Sequence, residues 1–502
     1  MRTERARAAR ELVFAALAGA LSTLACVFTA WWPLSLACIG ALAWRVGLAG
    51  PRRAAALGWC FGTGWLLAGT WWLFISMHRY GGLPAPLAAL AVVALSGALS
   101  LYLAAAMAIF ARLRNGRLAG DAALFAACWL LAELARGVLL TGFPWAASGY
   151  AQVDGPLAAL APWVGVYGLG AVAAGLVALP ALALGAGRAW QAALVAGLLL
   201  AAPLAGRDFS APAGRIDVTL IQTNVAQDEK FAPERLPEAL AWLERALAAA
   251  PGPLVLAPET AIPLLPDQLG DEAWQRLTAP FRDGPRAALV GLPLGSFEAG
   301  YTNSAAGLAP GGPAPFYRYD KQHLVPFGEF IPPGFRWFTE MMSIPLGDFA
   351  RGPLLPPTFD VAGQRIGPNI CYEDLFGEEL ARRFADPARA PTLLANLSNI
   401  GWFGDTIADD QHLNISRMRT LELQRPMVRA TNTGATAAID HRGEVTARLA
   451  PFTRGMVQAT VEGRDGLTPY ARWASQDGLW PLALAALALL AVAAAVRRRA
   501  AP

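Results

Sequence analysis

Along the chain, long apolar blocks come first and a mixed, strongly patterned region follows. Near-continuous apolar windows lie at about 11–29, 32–50, 55–75, 85–110, 121–140, 158–186 and 190–206, with a last one at 480–496. Each approaches the roughly 20 residues that a helix needs to cross a bilayer, so eight spans are predicted. Between 207 and 479 the pattern changes to short β-branched runs and amphipathic stretches. "RIDVTLIQTNV", "GPLVLAPET", "RAALVGLPLG", "RIGPNICYED" and "PTLLANLSNIGWF" read as buried strands with polar ends. "ERLPEALAWLERALAAA" reads as a helix, "DDQHLNISRMRTLELQRPMVRATNTG" as helix then strand, and "ATAAIDHRGEVTARL" as a hairpin. Strands alternating with helices predict a layered α/β domain, with its site where strand ends meet loops.

Basic residues give the apolar blocks a direction. Arg2, Arg5, Arg7 and Arg10 precede the first window, Arg52 and Arg53, then Arg112, Arg114 and Arg117, then Arg188 occupy alternate connections, and Arg497, Arg498 and Arg499 follow the last. The other short connections carry little beyond Arg79 and Arg136. The positive-inside tendency then predicts cytoplasmic termini, which puts 207–479 on the far face, periplasmic in a bacterium. Expected domains are 1–206 with seven helices, 207–479 as the outer domain, and 480–502 as the eighth helix and basic tail. On that face, "ISMHRYGGLPAP" and "TGFPWAASGYAQVDG" mix Gly, Pro and aromatics. They read either as an interfacial aromatic belt or as the edge of a site reached from the bilayer, with Phe143, Pro144, Trp145 and Tyr150 as candidates for that edge.

Composition agrees with a membrane protein: 55% of the 502 residues are hydrophobic and 16% charged. The net charge of +4 is better explained by topology signals than by nucleic-acid binding. Four of the five cysteines, Cys26, Cys38, Cys60 and Cys128, lie in or beside apolar windows, so no disulfide framework follows. Cys371 is alone in the polar region and precedes Tyr372, Glu373 and Asp374.

Three residues there stand out. Glu259 ends an apolar run, where a carboxylate needs a partner; a strand cap and a catalytic acid both fit. Lys321 lies in "YRYDKQHLVPFGEFIP", in a region that otherwise uses arginine and has only Lys230 besides; a solvated lysine is the plain alternative. Cys371 stands where a strand gives way to polar residues, either as a packed thiol or as a nucleophile activated by a base or a cation. His78, His323, His412 and His441 offer no evident thiol partner. HExxH, paired-cysteine, Gly-rich nucleotide and GxSxG patterns do not occur, and small-residue runs such as "LAGALSTLAC" point to helix packing.

The order Glu259, Lys321, Cys371, in "APETAIP", "YRYDKQHLVPFGEF" and "IGPNICYEDLFG", resembles the Glu-Lys-Cys triad of the nitrilase (carbon-nitrogen hydrolase) superfamily. With eight apparent spans the chain resembles the membrane-embedded apolipoprotein N-acyltransferase family within it. The resemblance implies a nitrilase-like α-β-β-α sandwich inserted before the last helix of an eight-span helical domain. It implies Cys371 as nucleophile, Glu259 as general base and Lys321 as oxyanion contact, with Glu329, Tyr372 and Glu373 as accessory residues. Thr223 replaces the glycine of a Gln-Gly-Asn pattern, and Ala257 stands where a tryptophan commonly precedes Pro-Glu; both bear on substrate preference more than on reaction type.

The implied reaction is a ping-pong acyl transfer. A membrane phospholipid acylates Cys371, and the N-terminal amine of a diacylated apolipoprotein takes the acyl group from the thioester. No metal or cofactor and no nucleic acid are implied, and the expected form is a monomer in the bacterial inner membrane. Two rivals remain open on the sequence: a membrane-anchored amidase using the same three residues, and a transporter or sensor with an external binding domain.

Overall fold

The computed structural model describes residues 2–183, 189–312, 316–336 and 349–500. Residues 184–188, which include Arg188 and the end of the 158–186 window, lie outside the described residues. The chain divides into two compact units. One comprises 1–74, 85–207 and 477–502, and the other comprises 75–84 and 208–476.

The first unit is helical. Five of its helical stretches, Ala6–Val27, Ala85–Leu113, Leu118–Thr141, Pro156–Ala183 and Trp480–Arg499, are long and apolar enough to cross a membrane. The other three predicted spans differ. Trp32–Gly47 has 16 residues, about 24 Å at 1.5 Å per residue, which is short of the hydrocarbon thickness. Pro51–Thr70 and Leu73–Tyr80 pass the length test only as a pair bent by 61°, and Ala189–Ala205 is a shorter apolar helix. Every predicted window thus contains a helix, while the count of eight spans exceeds the five to six that length and composition support among the described residues.

Small residues let these helices touch. A Cβ on Gly19 would lie 1.9 Å from the Phe61 carbonyl oxygen, and one on Gly64 would lie 2.0 Å from that of Ala16. Arg2–Ser22 and Pro51–Thr70 therefore meet backbone to backbone, the packing the small-residue run predicted. Trp480–Arg499 instead leaves its apolar side chains outward, with 6% of its window buried.

Among the described residues the second unit contains twelve strands: β1 (Ser210–Gln222), β2 (Leu254–Leu256), β3 (Ala287–Ser296), β4 (Gly300–Leu308), β5 (Tyr317–Asp320), β6 (Phe359–Val361), β7 (Gln364–Ile370), β8 (Leu393–Ser398), β9 (Met427–Thr431), β10 (Ala437–Ile439), β11 (Val445–Arg448) and β12 (Gly455–Gly466). They form two six-stranded sheets, β12-β1-β2-β3-β4-β5 and β11-β10-β9-β8-β7-β6. Each has three adjacent parallel strands, β1-β2-β3 and β7-β8-β9, continued on either side by antiparallel pairs.

The side-chain period of two assigns each strand residue to a layer. Val218, Leu220, Leu254, Leu256 and Leu289 of one sheet and Ile366, Ile370, Leu393, Leu397 and Val428 of the other share the core between the sheets. The alternate residues Val255, Ala288 and Val290 turn outward to Leu243, Leu247 and Phe281 on the helices Leu236–Ala249 and Asp271–Arg282. On the opposite outer face Leu394 and Met427 pack with Leu380, Tyr470 and Ala474. The order is helix, sheet, sheet, helix, as the resemblance implied. The segment 75–84, which lies between two helices in the chain, packs with this unit: Arg79 pairs with Asp228 at 2.9 Å and the Tyr80 ring lies 5.6 Å from Trp402.

Candidate active site

The polar residues of the second unit gather where its strands end. Glu259 follows β2, Lys321 follows β5 directly, Cys371 follows β7 directly and Asn399 follows β8 directly. Pairing of Ser304 with Asp320 in the β4–β5 ladder places Asn303 beside Lys321, whose backbone N–H donates to the Asn303 carbonyl at 2.8 Å.

One amide joins two carboxylates. Asn303 Nδ2 donates to Glu259 Oε1 and to Glu329 Oε1, each at 2.7 Å. Lys321 Nζ donates to the same Glu329 oxygen at 2.9 Å and lies 3.5 Å from Glu259 Oε1. The second Glu259 oxygen accepts the Asn399 backbone N–H at 2.7 Å, and Glu329 Oε2 accepts that of Val325 at 2.8 Å. Glu259, Glu329 and Lys321 are all buried. Burial alone would lower the Lys321 pKa, but the charges of Glu329, Glu259 and Cys371 outweigh it and raise it above the ordinary lysine value.

Cys371 opens a short 3-10 turn, Cys371–Leu375, with a positive φ of 50°. That conformation is rare for a side chain other than glycine and marks a position the surroundings enforce. Burial pushes the thiol pKa up to about 12, Glu259 adds to the rise, and Lys321 and Ser398 oppose it. A thiol so placed stays protonated near neutrality, so using it as a nucleophile requires a base that takes its proton during attack.

Two neighbouring acids hold this turn. Glu373 is buried and its carboxylate is saturated: Oε1 accepts the N–H of Gln322 at 2.7 Å and of His323 at 3.3 Å, while Oε2 accepts the Tyr319 hydroxyl at 2.6 Å and the Ile370 N–H at 2.7 Å. It ties the loop after Lys321 to the strand end before Cys371. Burial raises its pKa, against the hydrogen bonds it accepts. Asp374 lies on the buried side with His412 Nε2 at 2.9 Å, Arg429 at 3.2 Å and a short contact to Ser416. Burial would raise Asp374, but His412 and Arg429 prevail and hold it below the usual range. His412 also approaches the Cys371 carbonyl oxygen, at 3.3 Å, so it bears on the turn through the backbone. Tyr372 is buried, with its ring 5.7 Å from His323 and 5.2 Å from Phe376.

Six of the residues singled out in the sequence, Glu259, Lys321, Glu329, Cys371, Tyr372 and Glu373, therefore belong to one neighbourhood. Phe143, Pro144, Trp145 and Tyr150 lie in the helical unit. Phe143 is half-buried and the other three are buried. Arg136 donates to the carbonyls of Phe143 and Ala146 at 3.1 and 3.3 Å, and Trp145 packs on Trp72 with ring centres 4.7 Å apart. Asn303 and Asn399 are not singled out by the sequence, because an asparagine in a strand or turn carries no signal of its partner.

The sequence model described as Apolipoprotein N-acyltransferase N-terminal domain matches residues 18–179, and that described as Carbon-nitrogen hydrolase matches residues 218–469. A relative named Apolipoprotein N-acyltransferase from Verminephrobacter eiseniae is 54% identical over 479 residues, covering 89% of this chain and 89% of its own. Those of that name from Ralstonia nicotianae and Azotobacter vinelandii are 47% and 40% identical, covering 97% and 98% of this chain and 93% and 96% of their own.

Proposed function

The chain belongs to the apolipoprotein N-acyltransferase family of the nitrilase superfamily, and from that premise we propose a residue-level account of its reaction. The enzyme transfers an acyl group through a cysteine to the N-terminal amine of apolipoproteins, a step of lipoprotein maturation. The nucleophile is Cys371, the base is Glu259 and the oxyanion contact is Lys321. The observation that carries this assignment is the convergence of the three at strand ends, with Lys321 Nζ 3.5 Å from Glu259 Oε1 and the charges of both acting on the Cys371 thiol.

The acyl donor is a phospholipid. Cys371 Sγ attacks the ester carbon as Glu259 takes the thiol proton, and the carbonyl oxygen becomes an alkoxide facing Lys321. Collapse breaks the ester C–O bond, and the proton on Glu259 leaves with the lysophospholipid. The neutral amine of the diacylglyceryl cysteine then attacks the thioester and loses a proton to Glu259, which returns it to the departing thiolate. Glu329 and Asn303 hold Lys321 and Glu259 for both halves, and Glu373 with Tyr372 holds the Cys371 turn. Phe143, Pro144, Trp145 and Tyr150 belong to the membrane-side loop that edges lipid access.

The membrane domain is 1–206, the catalytic domain 207–479 and the final helix and tail 480–502. Eight crossings, counting Trp32–Gly47, the bent pair and Ala189–Ala205, give cytoplasmic termini and a periplasmic catalytic domain. The basic connections support that orientation. The working form is a monomer.

Purified full-length protein, given phospholipid vesicles and a diacylglyceryl peptide, should yield N-acyl peptide, and intact mass should show an acyl adduct on wild type that Cys371→Ala lacks. Turnover by Cys371→Ala would overturn the assignment, and peptide-independent hydrolysis without transfer would favour an amidase. Labelling of cysteines placed in 207–479 by an impermeant reagent from the cytoplasm alone would overturn the orientation.

A further inference from the structure

The chain has two lysines, and both are buried beside Glu259. Lys321 faces two carboxylates, but Lys230 is placed quite differently. Among the described residues the Lys230 ammonium makes one hydrogen bond, to the Glu259 main-chain carbonyl at 3.1 Å, and no carboxylate lies within salt-bridge distance. It is 5% exposed, so water does not readily complete its shell. A buried ammonium carries three donors and a full charge, and one neutral acceptor leaves most of that capacity unused.

What holds the charge there is a set of groups at the reaction centre. Lys230 belongs to the loop after β1, which is fastened to the site from several sides. Asn399 Nδ2 donates to Gln227 Oε1 at 2.9 Å, and Asn432 bridges Val225 and Asn399 through contacts of 2.8 to 3.0 Å. The Asn399 N–H in turn donates to Glu259. Burial lowers the Lys230 pKa to about 8, with the charge of Glu259 opposing the fall. An extra anionic oxygen near Cys371 would supply the partner that the protein itself does not.

Resting on the acyl-transfer assignment above, we infer that Lys230 is a second cationic contact for the acyl donor, its ammonium receiving an anionic oxygen of the bound ester. That oxygen is either the alkoxide formed on the acyl carbon or the donor's phosphodiester. Lys230 keeps its proton throughout; the only bonds made and broken are those of the ester and thioester. The division of labour follows from the surroundings: Lys321 is locked to Glu329 and Glu259, whereas Lys230 is held by a neutral carbonyl and can be redirected without breaking an ion pair.

The test measures single-turnover formation of the Cys371 acyl-enzyme by intact mass in full-length protein with no amine acceptor present, so that the acceptor's own titration does not enter. Two donors are compared, a phospholipid and a phosphate-free p-nitrophenyl acyl ester. Lys230→Met should slow acylation by about tenfold or more, with both donors if the alkoxide is the ligand and with the phospholipid alone if it is the phosphodiester. Wild-type acylation should fall as pH rises through about 8, where the ammonium loses its charge, and Lys230→Met should lack that limb. Rates within about twofold of wild type on both donors would overturn the inference, since that is well under one pK unit of interaction. A slowed variant that keeps the limb would also overturn it, leaving only a structural role. Should Lys230→Met fail to fold, Lys230→Gln and the wild-type profile decide, and a flat wild-type rate through pH 8 would refute it. Acylation of wild type that survives Cys371→Ala would instead refute the underlying assignment.

Discussion

Glu133 in the helical unit and Glu259 in the sandwich are both buried carboxylates beside a cation, yet their surroundings differ in kind. Glu133 accepts the Ser148 N–H at 2.7 Å, the Ser148 hydroxyl at 2.8 Å and the Trp129 indole at 3.1 Å, with Arg136 at 3.4 Å. Every one of those partners lies between 129 and 148, so the carboxylate ties a loop to the helix that precedes it. Glu259 instead draws Asn303, Asn399 and Lys321 from distant strands, and shares both its amide donor and its lysine with Glu329. A saturated carboxylate with local partners serves the fold. One whose partners are shared with a second acid can accept a proton while the lysine stays paired, as a general base requires.

Substitutions can break this contrast, and the largest effect is expected at Glu259. Glu259→Gln should lower acyl transfer by about a thousandfold, the range of a lost general base, while thermal unfolding stays within a few degrees of wild type; near-normal turnover would erase the distinction. Glu133→Gln should do the reverse. Removing one partner of a buried ion pair costs about 3 kcal/mol, to be read as earlier unfolding of the full chain in detergent with a much smaller loss of turnover per folded molecule. Glu373→Gln sharpens the comparison inside the sandwich, because its carboxylate is saturated like Glu133 but touches the Cys371 turn. Acylation should drop by about ten- to thirtyfold through misplacement of the turn, with kcat rather than KM affected. The smallest change is expected for Gly64→Ala. Forcing a methyl against the Ala16 carbonyl should destabilise the helical unit by about 1–3 kcal/mol, with acylation per folded molecule intact.

Much of the sandwich was legible because its strands are buried on both faces. β1, β2, β3, β7, β8 and β9 are apolar runs that stop at polar residues, and the stops are where Glu259, Cys371 and Asn399 stand. β12 was not read as a strand: "GMVQATVEGRDG" alternates, but much of it is half-exposed and charged, and its partner β1 lies at the far end of the domain. β4 was likewise passed over, although it delivers Asn303. Rarity flagged Lys321, which the structure sets 3.5 Å from Glu259, while the same rarity at Lys230 gives no partner by itself. The docking of 75–84 onto Asp228 and Trp402 was beyond reach, since no local pattern in "ISMHRYGG" names a partner so distant in the chain. In the helical unit hydropathy located each helix; among the described residues five are long and apolar enough to cross a bilayer by themselves, and the other windows run on through bends and short connections.

The antiparallel pairing of β1 with β12, running from Ser210 opposite Gly466 to Gln222 opposite Gly455, has a consequence for biogenesis. The first strand of the sandwich pairs on one edge with its last, so the sheet that carries Glu259 and Lys321 is closed only when the whole domain has been made. At about 5–20 residues per second, that is a wait of roughly 10–50 seconds during which β1 offers an unpaired edge. The fold accordingly has a high contact order and is completed after synthesis of the domain rather than in step with it. The two ends of the domain, rather than of the chain, are thereby brought side by side, as suits a domain inserted within another stretch of sequence.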